Sequence, residues 1–224
     1  MQDSLTHTTN DSSQVFSVDP EHAGLRIAIV GVFFVAAALI YLTTSVLVPV
    51  VGVNLIGVVA AVVGASLLTQ MVDRLFKQRW PSGRQLKIDG DQIQLRLRDQ
   101  VQRTIAGDQH VNVLLWCFEV TKRTRIPKGW LMVAIALMQE DTYLPVYTFV
   151  APEAFDQLAY HNQYVKLTGR KQPEAQDMRL AGQQRRLHIA EDARWQDGAE
   201  MSKADFERYI ASLRQQFPAW MPTE

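Results

Sequence analysis

The sequence predicts a membrane-anchored α+β protein. A two-helix transmembrane hairpin comes first, then an antiparallel β-sheet, curled or closed, with a closing helix and a helical C-terminal extension. Three observations carry this. Residues 27–72 contain no charged side chain. Residues 81–150 read as alternating or apolar runs separated by short turns. The segments after Pro152 and after Leu187 carry apolar residues at helical spacing.

Residues 1–24 carry four acids and no Lys or Arg, and Gln2–Asp19 is rich in Ser, Thr, Asp and Asn, the composition of a disordered tail. Between Arg26 and Asp73 the chain runs 46 residues without a charge. As one helix this would reach about 69 Å, more than twice the ~30 Å hydrocarbon core of a bilayer. Two helices joined by a tight turn fit, and Pro49, Gly52 and Asn54 supply the turn. The hairpin is expected over residues 25–72, with helices near Leu25–Leu47 and Val53–Val72. A buried hairpin in a soluble fold would need a large apolar partner surface, which the rest of the chain does not offer.

Arg74, Lys77, Arg79, Arg84 and Lys87 follow the second helix, Arg26 opens the first, and the connecting loop is uncharged. This predicts both termini in the cytoplasm and the short loop outside. The lead lacks a basic n-region, the apolar run is too long for an h-region and no A-x-A site follows it, so a cleaved signal peptide is not expected. The absence of ionisable residues between Arg26 and Asp73 makes the pair an anchor, without a proton relay or ion site. Gly57, Ala61 and Ala65 repeat every four residues, beside Ala60 and Gly64. Small side chains admit close backbone approach. Gly57, Ala61, Gly64 and Ala65 are therefore expected to pack the hairpin on itself or against another subunit. Trp80 and Tyr41 are candidate interfacial anchors.

The soluble part begins near residue 80. Gln85–Ile88 and Gln92–Arg98 alternate around Asp89-Gly90-Asp91, a strong hairpin signal. Ile93, Leu95 and Leu97 share one face of the second strand, and Gln94, Arg96 and Arg98 the other. A short strand near Val101–Ile105 precedes the Gly107-Asp108 turn. Val111–Val120, Trp130–Met138 and Thr142–Val150 follow as longer, more apolar strands. Consecutive strands with short turns indicate an antiparallel sheet. Pro152 and Glu153 suit a helix start, with Phe155, Leu158, Ala159, Asn162 and Val165 inward and an end before Gly169. Residues 169–186 read as a polar linker. A last helix starts near Ser202 or Asp205, turns Phe206, Ile210, Leu213 and Phe217 inward, and stops at Pro218. The domains expected are thus a tail over 1–24, the hairpin, a sheet domain over 80–166, and a linker with a helical extension over 167–224.

Two apolar spans, a strand run and a closing amphipathic helix resemble the bacterial pleckstrin-homology-like (PH-like) membrane proteins, including the YcxB-like group. The resemblance is carried by Trp116-Cys117-Phe118-Glu119-Val120, by the apolar strand Trp130–Met138, and by Leu144-Pro145-Val146-Tyr147-Thr148-Phe149 leading into Pro152-Glu153-Ala154-Phe155. It covers about residues 25–166. It implies a PH-like fold, a place in the bacterial cytoplasmic (inner) membrane and a membrane-tethered binding role, with no catalytic residues to carry over.

The charge balance narrows the function. Lys plus Arg equals Asp plus Glu at 23 each, which argues against general nucleic-acid binding. The balance is uneven: residues 73–130 carry twelve bases against six acids, and residues 131–224 ten against thirteen. The single cysteine, Cys117, forms no internal disulfide, and no Cys/His cluster has metal spacing. His110 and His161 are the candidate bases for a reactive Cys117, but nothing local aligns them. His188 with Glu191 and Asp192 reads as solvated surface. No phosphate, dinucleotide, zinc-protease or serine-hydrolase motif is present. No cofactor, metal or catalytic activity is expected.

The sharpest surface feature is the basic loop of Lys122, Arg123, Arg125 and Lys128 beside Trp130. Cations near an aromatic suit an anionic lipid headgroup or an acidic partner, each base contributing about 1 kcal/mol near a negative leaflet. A solvated hairpin turn with Trp130 in the core is the alternative. The expectation is a non-enzymatic membrane-anchored interaction or accessory protein, touching membrane lipids and a protein partner or a second copy through its helices. An anionic-lipid module using the 122–130 loop is the alternative function.

Overall fold

The computed structural model describes residues 13–19, 23–121, 125–169 and 178–222. They divide into two compact units. One comprises residues 20–82, and the other residues up to 19 together with 83–224.

The first unit is a pair of helices, α1 (Ala23–Leu47) and α2 (Leu55–Arg79). Both are long and apolar enough to cross a membrane, over Gly24–Leu47 and Leu55–Phe76. Asn54 closes the turn between them. Its Oδ1 caps α2 by accepting from Gly57 N–H at 2.9 Å, and its Nδ2 donates to the Val48 carbonyl at 3.0 Å. The expected turn therefore stands, but α2 continues past Val72 into Asp73, Arg74 and Lys77. The small residues of α2 face α1: Ala61 and Ala65 are buried, and a Cβ on Gly64 would lie 2.8 Å from Ile40 Cδ1. At Gly57 a Cβ would lie 3.3 Å from the Tyr41 ring. The larger side chains, among them Phe34, Leu39, Val63 and Leu67, are exposed.

The second unit contains two sheets. Strands β1 (Gln14–Ser17), β2 (Arg84–Asp89), β3 (Gln92–Leu97) and β4 (Gln100–Ala106) form an antiparallel sheet in that order. Strands β5 (Asn112–Glu119), β6 (Leu131–Gln139) and β7 (Thr142–Val150) form an antiparallel meander. Two short strands, β8 (Val165–Lys166) and β9 (Ala199–Glu200), join its edges in parallel, making a mixed sheet. The helices are α3 (Pro152–Phe155), α4 (Met178–Asp197) and α5 (Lys203–Gln216).

Period two on both faces explains why β6 reads as a continuous apolar run. Val133, Ile135 and Leu137 face a core shared with Leu86, Ile88, Ile93, Leu95 and Ile105 of the first sheet. Met132, Ala134 and Ala136 face outward, where Leu187 and Ala190 of α4 cover them and Trp116. The alanines leave room for the helix. Phe206, Tyr209, Ile210 and Leu213 of α5 enter the inter-sheet core, and Ser202 Oγ caps that helix from Asp205 N–H at 3.1 Å.

Three expectations are corrected. The N-terminal tail is not disordered throughout: Gln14–Ser17 is a strand, and Phe16 and Val18 are 4% and 1% exposed. Residues 1–12 lie outside the described residues. The long helix expected after Ala151 is the single turn α3, because Tyr160 adopts a left-handed backbone (φ 61) and the chain then extends into β8. The segment after 167 is no extension. Met178 to Arg186 is already helical, and α5, belonging to the main core, is the helix that closes the sheets. Residues 170–177 lie outside the described residues.

Candidate functional site

The chain leaves the two-sheet unit after Asp19 and rejoins it at Gly83, and a network of hydrogen bonds and ion pairs gathers at that end. Asp19 holds a left-handed backbone (φ 55), which a short polar side chain tolerates. Its N–H donates to the Glu200 carbonyl at 2.7 Å, and its Oδ1 accepts from Glu200 N–H at 2.9 Å. Its Oδ2 accepts from Arg84 Nη1 at 2.8 Å. Arg84 also donates to the carbonyls of Gly198 at 3.0 Å and Asp197 at 2.7 Å, satisfying the C-terminal end of α4. Glycine is required at 198, where a Cβ would lie 2.4 Å from the Arg194 carbonyl.

A second cluster continues across the outer face of the mixed sheet. Arg194 is 8% exposed and donates twice to Glu191, at 2.7 and 2.6 Å. Its guanidinium lies 4.6 Å from the Tyr147 ring centroid and 5.9 Å from that of Phe118. Burial opposes its charge, but the Glu191 bonds outweigh this and raise its pKa. Trp116 Nε1 donates to Glu191 Oε2 at 3.1 Å. The Tyr147 hydroxyl donates to Glu200 Oε2 at 3.2 Å; burial first, and Glu200 second, push its pKa up to about 12. These groups answer one another and tie α4 and β9 to the mixed sheet.

The described residues of the basic loop, 125–130, lie at this end as well. Val120 N–H donates to the Trp130 carbonyl at 2.7 Å, closing the loop at its base. Arg125 is committed inward: both Nη atoms bond Glu200, and its guanidinium sits 5.3 Å from the Phe149 centroid. Lys128 is exposed and Trp130 half-buried. Lys122 and Arg123 lie outside the described residues. The sequence marks Arg84 only as a flanking base and Glu191 as solvated surface, and does not single out Asp19, Arg194 or Glu200. The contacts of Asp19 with Glu200, of Arg84 with Asp197 and Gly198, and of Glu191 with Trp116 join distant segments.

Cys117 lies on the inner face of β5, and burial raises its thiol pKa. Its ionisable neighbours are Lys166 and Tyr164. His110 contacts Asn112 Oδ1 at 3.2 Å, and His161 the Leu158 carbonyl at 3.2 Å. A groove of about 570 Å³ runs between β5 and α4, lined by Phe118, Thr121, Lys166, Leu167, His188 and Trp195.

No family model, curated protein or solved structure matches the chain.

Proposed function

We propose that the chain is a non-enzymatic, membrane-anchored accessory protein. Its two apolar helices cross the bacterial cytoplasmic membrane as a hairpin, with both termini in the cytoplasm. They hold a PH-like domain at the inner leaflet for a protein partner or a larger membrane assembly. The observation that carries this reading is the insertion of the apolar helices between two paired strands: β1 and β2 run from Gln14↔Ile88 to Ser17↔Gln85. Both ends of the apolar segment thus join neighbouring strands of one sheet, so the domain has two tethers. The PH-like reading is supported by the four-plus-three order of β1 to β7, closed by the amphipathic α5.

The test is to isolate the tagged full-length chain from bacterial membranes in mild detergent and identify what co-purifies. The expected result is resistance to alkaline extraction and a stoichiometric protein partner. Release by alkali would overturn the anchor, and a chain that purifies alone would overturn the accessory role.

A second reading, recognition of anionic headgroups by the 122–130 loop, is favoured by the charge distribution. Gly107 N–H donates to the Asp91 carbonyl, and Gln139 bonds the backbone of Ala106. These contacts gather the turns bearing Asp89, Asp91, Asp108, Glu140 and Asp141 at the end opposite the loop. Charge reversal at Lys122, Arg123 and Lys128 tests this reading by loss of binding to anionic liposomes. Arg125 is left alone, because its ion pair with Glu200 holds the fold.

A further inference from the structure

Trp195 is 82% exposed, whereas Trp116 in the same unit is fully buried. A solvent-facing indole on an ordered helix is costly in water and well suited to the boundary between headgroups and acyl chains. Its position in the fold says which surface covers it. Trp195 precedes by two residues Asp197, whose carbonyl holds Arg84 at 2.7 Å. Arg84 follows Gly83, where the chain re-enters this unit. Only four residue steps separate Arg79, the last residue of α2, from Gly83, and four separate Asp19 from Ala23, the first of α1. Four residues extend at most about 14 Å whatever their conformation.

Charge agrees with this placement. Around Trp195 and the chain exits, Asp19, Asp197 and Glu200 are paired with Arg84, Arg103 and Arg125. The exposed acids there, Asp99, Glu119 and Asp192, stand among the exposed bases Arg98 and Lys128. Arg98 N–H itself donates to the Gly83 carbonyl at 2.6 Å. At the opposite end lie five turn acids, with Lys87 paired to Asp89 and Arg214 in the last turn of α5, whose C-cap residue Phe217 packs against Gly107. The larger excess of acids thus lies away from the Trp195 end, as an anionic leaflet would favour.

Resting on the membrane reading above, we infer that the Trp195 end of the two-sheet unit is seated on the lipid surface. The indole then lies in the interfacial layer, and the domain stands with its acidic turns outward. The test uses the full chain in vesicles of phosphatidylethanolamine and phosphatidylglycerol, spin-labelled in turn at Trp195→Cys, Asp91→Cys and Phe34→Cys. The unsubstituted chain reports background from buried Cys117. A water-soluble nickel complex should reach the label at 195 several-fold less than the label at 91, while the label at 34 meets oxygen but not nickel. Equal nickel access at 195 and 91, with 34 still shielded, would overturn the seating alone. Nickel access at 34 would overturn the membrane reading, and this inference with it.

Discussion

Asp19 and Glu200 exchange two hydrogen bonds across 181 residues of chain: Asp19 N–H to the Glu200 carbonyl at 2.7 Å, and Glu200 N–H to Asp19 Oδ1 at 2.9 Å. The last described residue before the apolar helices is thereby clasped to a strand near the C-terminus. Asp19→Ala should lower stability by about 1–3 kcal/mol, since it leaves the part-buried Glu200 N–H without its acceptor and uncouples Arg84. Asp19→Asn should cost less, because Asn keeps an acceptor and tolerates positive φ. Urea midpoints for the two variants check the order.

The strand before the helices is structural. Phe16 is 4% exposed and meets the Tyr209 ring edge-on at 5.8 Å. Phe16→Ala should cost about 3–5 kcal/mol. A fragment beginning at Gly83 should fail to fold cooperatively. A chain joining Asp19 to Gly83 through a short turn, without residues 20–82, should be soluble and folded, because β1 and β2 are antiparallel neighbours. Circular dichroism melts of the two fragments distinguish these outcomes.

Glu191→Gln should be more damaging than replacing both Glu191 and Arg194 by leucine and methionine. The single change leaves a guanidinium that is 8% exposed without its carboxylate, a loss of about 3–5 kcal/mol. The double change removes the charge and its partner together. A double-mutant cycle on the folded domain would show the coupling, and equal losses would sink the argument.

Stability should fall in alkali. The Tyr147 hydroxyl has its pKa pushed up to about 12 in the folded chain by burial and Glu200, against about 10 unfolded. Its contribution is full below pH 10 and is lost as pH rises towards 12, because the unfolded state then releases the proton more readily. Tyr147→Phe should flatten that limb of a stability–pH curve without changing its slope near neutrality.

In the hairpin, Gly64→Leu should separate the helices, because a Cβ there already lies 2.8 Å from Ile40. Gly31→Leu should be neutral for the hairpin, since nothing lies within 4 Å of its Cβ position. Disulfide trapping between cysteines placed on α1 and α2 in detergent measures the difference. Loss of trapping in both variants would show that Gly31 also faces a neighbour.

The local elements were legible in the order of residues along the chain. An uncharged run of 46 residues with a Pro-Gly-Asn break required two helices, and alternation around Asp89-Gly90-Asp91 required the β2–β3 hairpin. The apolar runs of β5 to β7 were legible for the same reason: their burial pattern is written in consecutive residues. Other features arise only when distant segments meet. Val15 to Val18 alternate too briefly to stand out in a polar lead, and become a strand only because β2 offers an edge some seventy residues later. The helical pattern after Pro152 lost to the left-handed Tyr160 and the edge of β5. Helix α4 hid in a polar stretch because the side chains that cover the sheet are Leu187, Ala190 and a charged Arg194. Glu191 and Arg194 pair at i,i+3, but the contacts of Asp19, Arg84 and Glu200 left no trace in spacing. Hydrogen bonds and ion pairs between distant segments depend on which surfaces the core brings together, whereas helix and strand periodicity depends on neighbours along the chain.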